Sequence, residues 1–69
     1  MLALLRRARE DAGLTQRDLA ARLRCHHSWV AKVEIGERRL DVIELIRVLR
    51  ALETDPLRFV SRLLKSAKL

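Results

Sequence analysis

The chain has 69 residues, with 15 Lys or Arg against nine Asp or Glu, so its formal net charge is +6. A domain near this size buries only roughly 60% of its unfolded surface and has no room for a drug-sized cavity. The sequence also has no glycine-rich phosphate loop and no nucleophile beside a base, so we expect no enzyme. The excess positive charge makes nucleic acid the first candidate partner and an anionic membrane surface the second.

Cysteine usage and the N-terminal residues indicate a compartment. Cys25 is the only cysteine, which excludes an internal disulfide. The first ten residues are charged too early for a signal peptide or a membrane span. We therefore expect a protein of the reducing cytoplasm.

The composition favours helices. Leu, Ala, Arg and Glu dominate, whereas only Trp29 and Phe59 are aromatic. No alternating strand pattern is present, so the expected fold class is all-α.

The first helix is predicted by apolar residues at helical spacing. Leu2, Leu5, Ala8 and Ala12 follow this spacing, and Gly13 comes next as a typical C-terminal stop.

A second helix is predicted over residues 16–23. Thr15 can accept a hydrogen bond from the Asp18 N–H as its N-cap, and Asp18 suits the positive end of the helix dipole. The buried stripe is Leu19, Ala20 and Leu23.

A third, short helix follows a turn over residues 24–26. Val30 and Val33 lie on one face of this helix, and Gly36 is its expected stop.

The fourth helix has the clearest pattern. Asp41 is its expected N-cap, and its predicted apolar stripe is Val42, Leu45, Ile46, Leu49 and Leu52. Ile43 and Val48 lie outside that stripe.

A fifth helix is predicted over about residues 56–67. Asp55 before Pro56 is typical of an N-cap followed by proline in the first helical position. Its apolar residues are Phe59, Val60, Leu63 and Leu64.

Two short helices joined by a tight turn, with basic residues around the second, are the minimum for a helix-turn-helix. The run "LTQRDLAARLRCHHSWVAKVEIGERRLDVIELIRVLRAL" resembles the helix-turn-helix domain of the phage repressor and Cro family, often called the Xre family. The matching motifs are Thr15-Gln16, Leu19-Ala20, Leu23, Val30, Val33-Glu34, Gly36 and "RRLDVIEL". The resemblance covers about residues 4–60. It implies one domain over residues 1–69, a lambda-repressor-like bundle of five short helices with the helix-turn-helix at about residues 16–34.

The resemblance also implies a DNA-binding surface. His27, Ser28 and Lys32 stand where the family reads base edges, and their side chains can bond to bases in the major groove. The residues implied to contact the DNA backbone are Gln16, Arg17, Trp29, Arg38 and Arg39. Trp29 could equally belong to the core, and each arginine could be a solvated surface charge.

Two further pairs of residues have alternative interpretations. Arg9 and Glu34 occupy positions that form a partly buried ion pair in family members, although both could be ordinary solvated charges. If the pair forms, Arg9→Ala should destabilise the fold.

The adjacent His26 and His27 could suggest a metal site, but neighbouring helical side chains point about 100° apart and no second ligand cluster accompanies them. We expect no metal and no cofactor.

The chain departs from the family pattern at four positions. Ile35 replaces a commonly polar residue, which removes a possible phosphate contact. Arg24 stands where glycine is frequent in the turn, and at positive φ it would cost on the order of 1 kcal/mol. His26 replaces the usual Ser or Thr cap, so we expect the third helix to start less firmly. Glu53 stands where glycine often ends the fourth helix.

Apolar residues beyond the needs of one small core suggest a partner. They include Ile43 and Val48, and the candidate dimer interface is Leu57, Val60, Leu63 and Leu64. A two-fold homodimer would place two recognition helices one DNA turn apart on a palindromic site. Alternatively, the fifth helix merely completes the core of a monomer, or a toxin or effector protein binds the C-terminal helices.

These observations predict a bacterial or phage transcriptional regulator that binds specific double-stranded DNA, as a repressor or an antitoxin-like autoregulator. It would be cytoplasmic and associated with the nucleoid. The alternative is an adaptor protein that uses the same helical fold without reading DNA sequence.

Overall fold

The computed structural model describes residues 1–66, which form five α-helices and, within that range, no strand. The helices are α1 (Leu2–Asp11), α2 (Gln16–Leu23), α3 (His27–Glu34), α4 (Val42–Ala51) and α5 (Pro56–Ser66). The predicted all-α class is confirmed, and the predicted helix order matches. Residue 67, where the fifth helix was expected to end, lies outside the described range. No helix of residues 1–66 has the length and apolar character needed to cross a membrane.

Local hydrogen bonds explain why the helices begin where they do. Thr15 Oγ1 accepts from the Asp18 N–H at 3.1 Å, and Asp18 Oδ2 accepts from the Thr15 N–H at 2.9 Å. Asp41 and Glu44 make the same reciprocal pair at the start of α4, at 2.7 and 3.1 Å. Each pair satisfies two backbone donors at a helix end. Asp55 Oδ1 accepts from the N–H of the second residue of α5 at 3.0 Å.

Two of the helices, α1 and α3, end just before a glycine. Gly13 and Gly36 lie just beyond α1 and α3 with φ of +75° and +83°, a region that other residues rarely adopt. Both predicted stops are confirmed.

The core draws on all five helices. Its buried apolar residues are Leu5, Leu19, Ala20, Val30, Val33, Val48, Leu49, Leu52 and Phe59. The helix α3 packs against α1 and α2, while α2 also packs against α4. The helix α5 packs mainly on α4 and contributes only one fully buried side chain, Phe59. The core therefore fixes the helix-turn-helix more firmly than it fixes α5.

The predicted apolar stripe of α4 is wrong at two positions. Val48, placed outside the stripe, is only 2% exposed, whereas Val42, placed inside it, is 72% exposed. Because α2 and α5 both pack on α4, its buried face is broader than one stripe. Val42 is the first residue of the helix and lies beyond the end of this packed face. Ile43 is 72% exposed, as its position outside the stripe predicted.

Among residues 1–66, two residues other than glycine have left-handed backbone conformations. Arg24 has φ 55° and ψ 43°, and Glu53 has φ 56°. In the turn, the Cys25 N–H donates to the Ala20 carbonyl at 3.0 Å, so this conformation also satisfies the end of α2. A residue with a Cβ is strained here by roughly 1–2 kcal/mol. Arg24 therefore has the positive φ at which a strain cost was expected.

We predict that Arg24→Gly raises the free energy of unfolding by up to about 1 kcal/mol, because glycine relieves the strain but adds freedom to the unfolded chain. For a domain of this size the gain corresponds to roughly 4–8 °C per kcal/mol in the thermal midpoint. Arg24→Ala is the matched control, since it removes the side chain and keeps the Cβ. Equal midpoints for the two variants would show that the turn is unstrained.

Candidate nucleic-acid interface

The helix α3 has one face in the core and one in solvent. Val30 and Val33 are each 2% exposed and hold the helix against α1 and α2. His27 and Lys32 are exposed, and Ser28 is half-buried. The helical period separates these polar side chains from the two valines. The three residues predicted to contact bases therefore lie away from the buried face.

The imidazole of His26 caps α3. Its Nδ1 accepts from the Ser28 N–H at 3.2 Å and lies 2.8 Å from Ser28 Oγ. The ring also stacks on the His27 ring, with centroids 4.4 Å apart. The helix thus has a side-chain cap in spite of the missing Ser or Thr, although the capping bond is at the long end of the usual range. Sequence reasoning missed this use of the imidazole nitrogen.

Trp29 is half-buried and carries Arg38 beside its ring. The guanidinium carbon of Arg38 lies 5.6 Å from the ring centroid, within the range of a cation–π contact. Arg38 Nη2 also donates to Glu44 Oε2 at 2.8 Å. Arg38 therefore connects α3 to α4 across the intervening loop. Trp29 is neither a fully buried core residue nor a fully exposed one.

A buried ion pair joins α1 to α3. Arg9 Nε donates to Glu34 Oε2 at 2.7 Å and Arg9 Nη2 donates to Glu34 Oε1 at 3.1 Å. The side chains are only 9% and 5% exposed. Arg9 Nη1 also donates to the Leu14 carbonyl at 2.7 Å, which ties the α1–α2 loop to the same guanidinium. The two residues are paired and are not solvated surface charges.

The pair changes the acidity of Glu34. Burial raises the pKa of this carboxyl, but the hydrogen bonds from Arg9 and Gln16 and the charge of Arg9 together lower it below its ordinary value. The Glu34 side chain is therefore an ionised carboxylate in the folded protein, and both of its oxygens accept hydrogen bonds.

The comparisons with known proteins agree on the family. A sequence profile described as a helix-turn-helix domain matches residues 1–59. The chain belongs to this family. An XRE-family like protein from Pseudomonas syringae pv. tomato str. DC3000 is similar in structure, with 52% identity and a TM-score of 0.85 over 90% of this chain and 78% of that chain. No curated protein matches. The resemblance seen in the sequence is confirmed, and this Xre-type domain belongs to a family of DNA-binding regulators.

In this Xre-type domain, the side chain of Gln16 is anchored to the ion pair. Gln16 Nε2 donates to Glu34 Oε1 at 3.1 Å, and only the nitrogen of the amide can make this bond. The amide nitrogen carries a second hydrogen, which this contact leaves for another acceptor. No local sequence pattern predicts the contact, because the two residues are 18 positions apart.

The remaining predicted backbone contacts lie at the surface. Arg17 and Arg39 are exposed, and within residues 1–66 neither has a carboxylate within 4 Å. Of the five residues predicted to contact the DNA backbone, Gln16 and Arg38 are held by other side chains, Trp29 is half-buried, and these two arginines are solvated.

The histidine pair has no metal-binding companions in the described part of the chain. No group of three His, Cys, Asp or Glu residues there could hold a metal ion.

We predict that Glu34 makes the Xre-type domain sensitive to acid. Because its pKa is lowered on folding, its contribution to stability is present above the ordinary glutamate pKa of about 4.3 and is lost as the pH falls through the lower folded-state value. The difference in unfolding free energy between the native chain and Glu34→Gln should therefore be largest near neutral pH and shrink below about pH 4.3. Chemical denaturation at a series of pH values measures it.

Asp18→Asn is the control for this pH series. The backbone and side-chain hydrogen bonds with Thr15 lower the pKa of Asp18 as well, but that residue lies at the exposed cap of α2. Replacing this carboxylate with an amide should leave the contribution of Glu34 to the unfolding free energy unchanged. A difference between native and Glu34→Gln that does not vary with pH would contradict the prediction.

Proposed function

We propose that the chain is a sequence-specific regulator of transcription that represses a promoter by binding double-stranded DNA through the major groove. The observation that carries the proposal is the outward face of α3, where His27, Ser28 and Lys32 are held away from the buried Val30 and Val33. A helix lying in the major groove needs such polar side chains near its N-terminal end.

Contacts with the DNA backbone would fix the register of α3. Gln16 lies at the first position of α2, where backbone N–H groups favour a phosphate. Arg38 and Arg39 follow α3, and Arg17 lies beside Gln16. Such contacts orient a protein on the duplex but carry little sequence information. Specificity is therefore assigned to the three side chains of α3.

We propose that the regulator acts as a homodimer through α5. Leu57, Val60 and Leu64 are 80%, 41% and 48% exposed, and their spacing places them on one side of the helix. Leu63, the fourth candidate, is half-buried. A two-fold dimer would separate the two recognition helices by about 34 Å, one turn of DNA.

Selection from a random DNA duplex library at about 150 mM salt tests the proposal. The expected result is an enriched inverted repeat whose half-sites lie about 10 bp apart, the spacing of one helical turn. A single enriched half-site would retain the DNA readout and reject the homodimer. Retention that ignores sequence and vanishes steeply with salt would instead favour the adaptor protein.

We predict that Lys32→Ala weakens binding to the selected sequence by about 1–3 kcal/mol and relaxes specificity at one base pair. Arg50→Ala is the matched control, because it also removes one positive charge from an exposed helical position, on α4. Fluorescence anisotropy with labelled duplexes measures both variants. Equal losses for the two variants would mean that Lys32 contributes only through net charge.

A further inference from the structure

A cavity of about 230 Å³ lies beside the helix-turn-helix, between the α2–α3 turn and α4. Leu23 and Val48 give it apolar walls, and Trp29 of α3 adds an aromatic one. Ligand cavities for drug-sized molecules are roughly 300–1,000 Å³, so this one suits a smaller compound. None of the residues assigned to base contact lines it.

Two arginines give the cavity a positive charge. Arg24 from the turn and Arg47 from α4 both line it, and among residues 1–66 neither lies within 4 Å of a carboxylate. Cys25 also lines the cavity, and burial raises the pKa of its thiol although the charge of Arg47 lowers it in part. Two unpaired guanidinium groups at one cavity favour an anionic ligand.

The single carboxylate of the cavity does not neutralise these arginines. Glu44 Oε1 accepts from the Asp41 N–H at 3.1 Å, and Glu44 Oε2 accepts from Arg38 at 2.8 Å. Both oxygens are therefore engaged at the start of α4 and by a third arginine. The charge balance of the cavity and its immediate surroundings remains positive.

We propose that this cavity is a binding site for a small aromatic carboxylate. The aromatic ring of the ligand packs against Trp29 and the apolar walls, and its carboxylate accepts hydrogen bonds from Arg24 and Arg47. The flat aromatic surface of Trp29 suits the ring of such a molecule, and the two guanidinium groups suit its carboxylate. The site goes beyond the proposed DNA binding and does not depend on it. A ligand there would contact α3 directly through Trp29.

Benzoate is the probe, and nitrogen-15 NMR of the full chain is the measurement. Trp29 is the only tryptophan, so its indole N–H gives one isolated signal. We expect benzoate to shift this signal in a saturable manner. Benzamide, which keeps the ring and lacks the charge, and acetate, which keeps the charge and lacks the ring, should each bind at least about tenfold more weakly, since a charged hydrogen bond or a buried ring each contributes more than one factor of ten.

Arg47→Gln is the test variant, and Arg50→Gln is its matched control. Both arginines are exposed on α4, but only Arg47 lines the cavity. Arg47→Gln should raise the dissociation constant for benzoate about tenfold, and Arg50→Gln should leave it unchanged. Three results would overturn the proposal: a Trp29 signal that does not saturate, equal binding of benzoate and benzamide, or equal effects of the two variants. None of these measurements involves DNA, so their failure would leave the proposed function untouched.

Discussion

Arg9 and Glu34 form the one ion pair of residues 1–66 in which both side chains are almost fully removed from water. The removal of one partner from such a pair typically costs about 3–5 kcal/mol, although a buried pair as a whole often adds little net stability. Its value here is geometric. One guanidinium holds α1, the Leu14 carbonyl and the end of α3 together, and the carboxylate also holds Gln16 at the start of α2. The two helices of the helix-turn-helix are thereby positioned against α1 by a single polar cluster.

Features set by neighbouring residues could be predicted from the sequence, whereas features set by packing could not. The starts of α2 and α4 follow from reciprocal bonds between residues three apart, Thr15 with Asp18 and Asp41 with Glu44. The buried face of α4 depends on where α2 and α5 lie, so the periodicity alone misplaced Val48. The resemblance to the family supplied the partners Arg9 and Glu34, which no local spacing links.

The candidate interface combines ordered and solvated side chains. Gln16 and Arg38 are already held by Glu34 and Glu44, so part of their conformational entropy is lost on folding and need not be lost on binding. Arg17 and Arg39 have no such partner in residues 1–66, so in the proposed complex they would contribute mainly through charge. A phosphate bound at this interface would therefore contact two kinds of side chain. Gln16 and Arg38 would fix its position, and Arg17 and Arg39 would attract it electrostatically.

The strained turn and the adjacent cavity belong to the same local structure. Arg24 has a left-handed backbone conformation that glycine adopts with less strain, and such strain persists where the surroundings impose it. In return, the arginine places a positive charge at the cavity that Trp29 and Arg47 line. Glycine at this position would relieve the backbone and leave Arg47 as the only cation lining the cavity without a carboxylate partner among residues 1–66. A trade of stability for a binding group is common at functional sites, and the proposed ligand site would give the charge of Arg24 such a role.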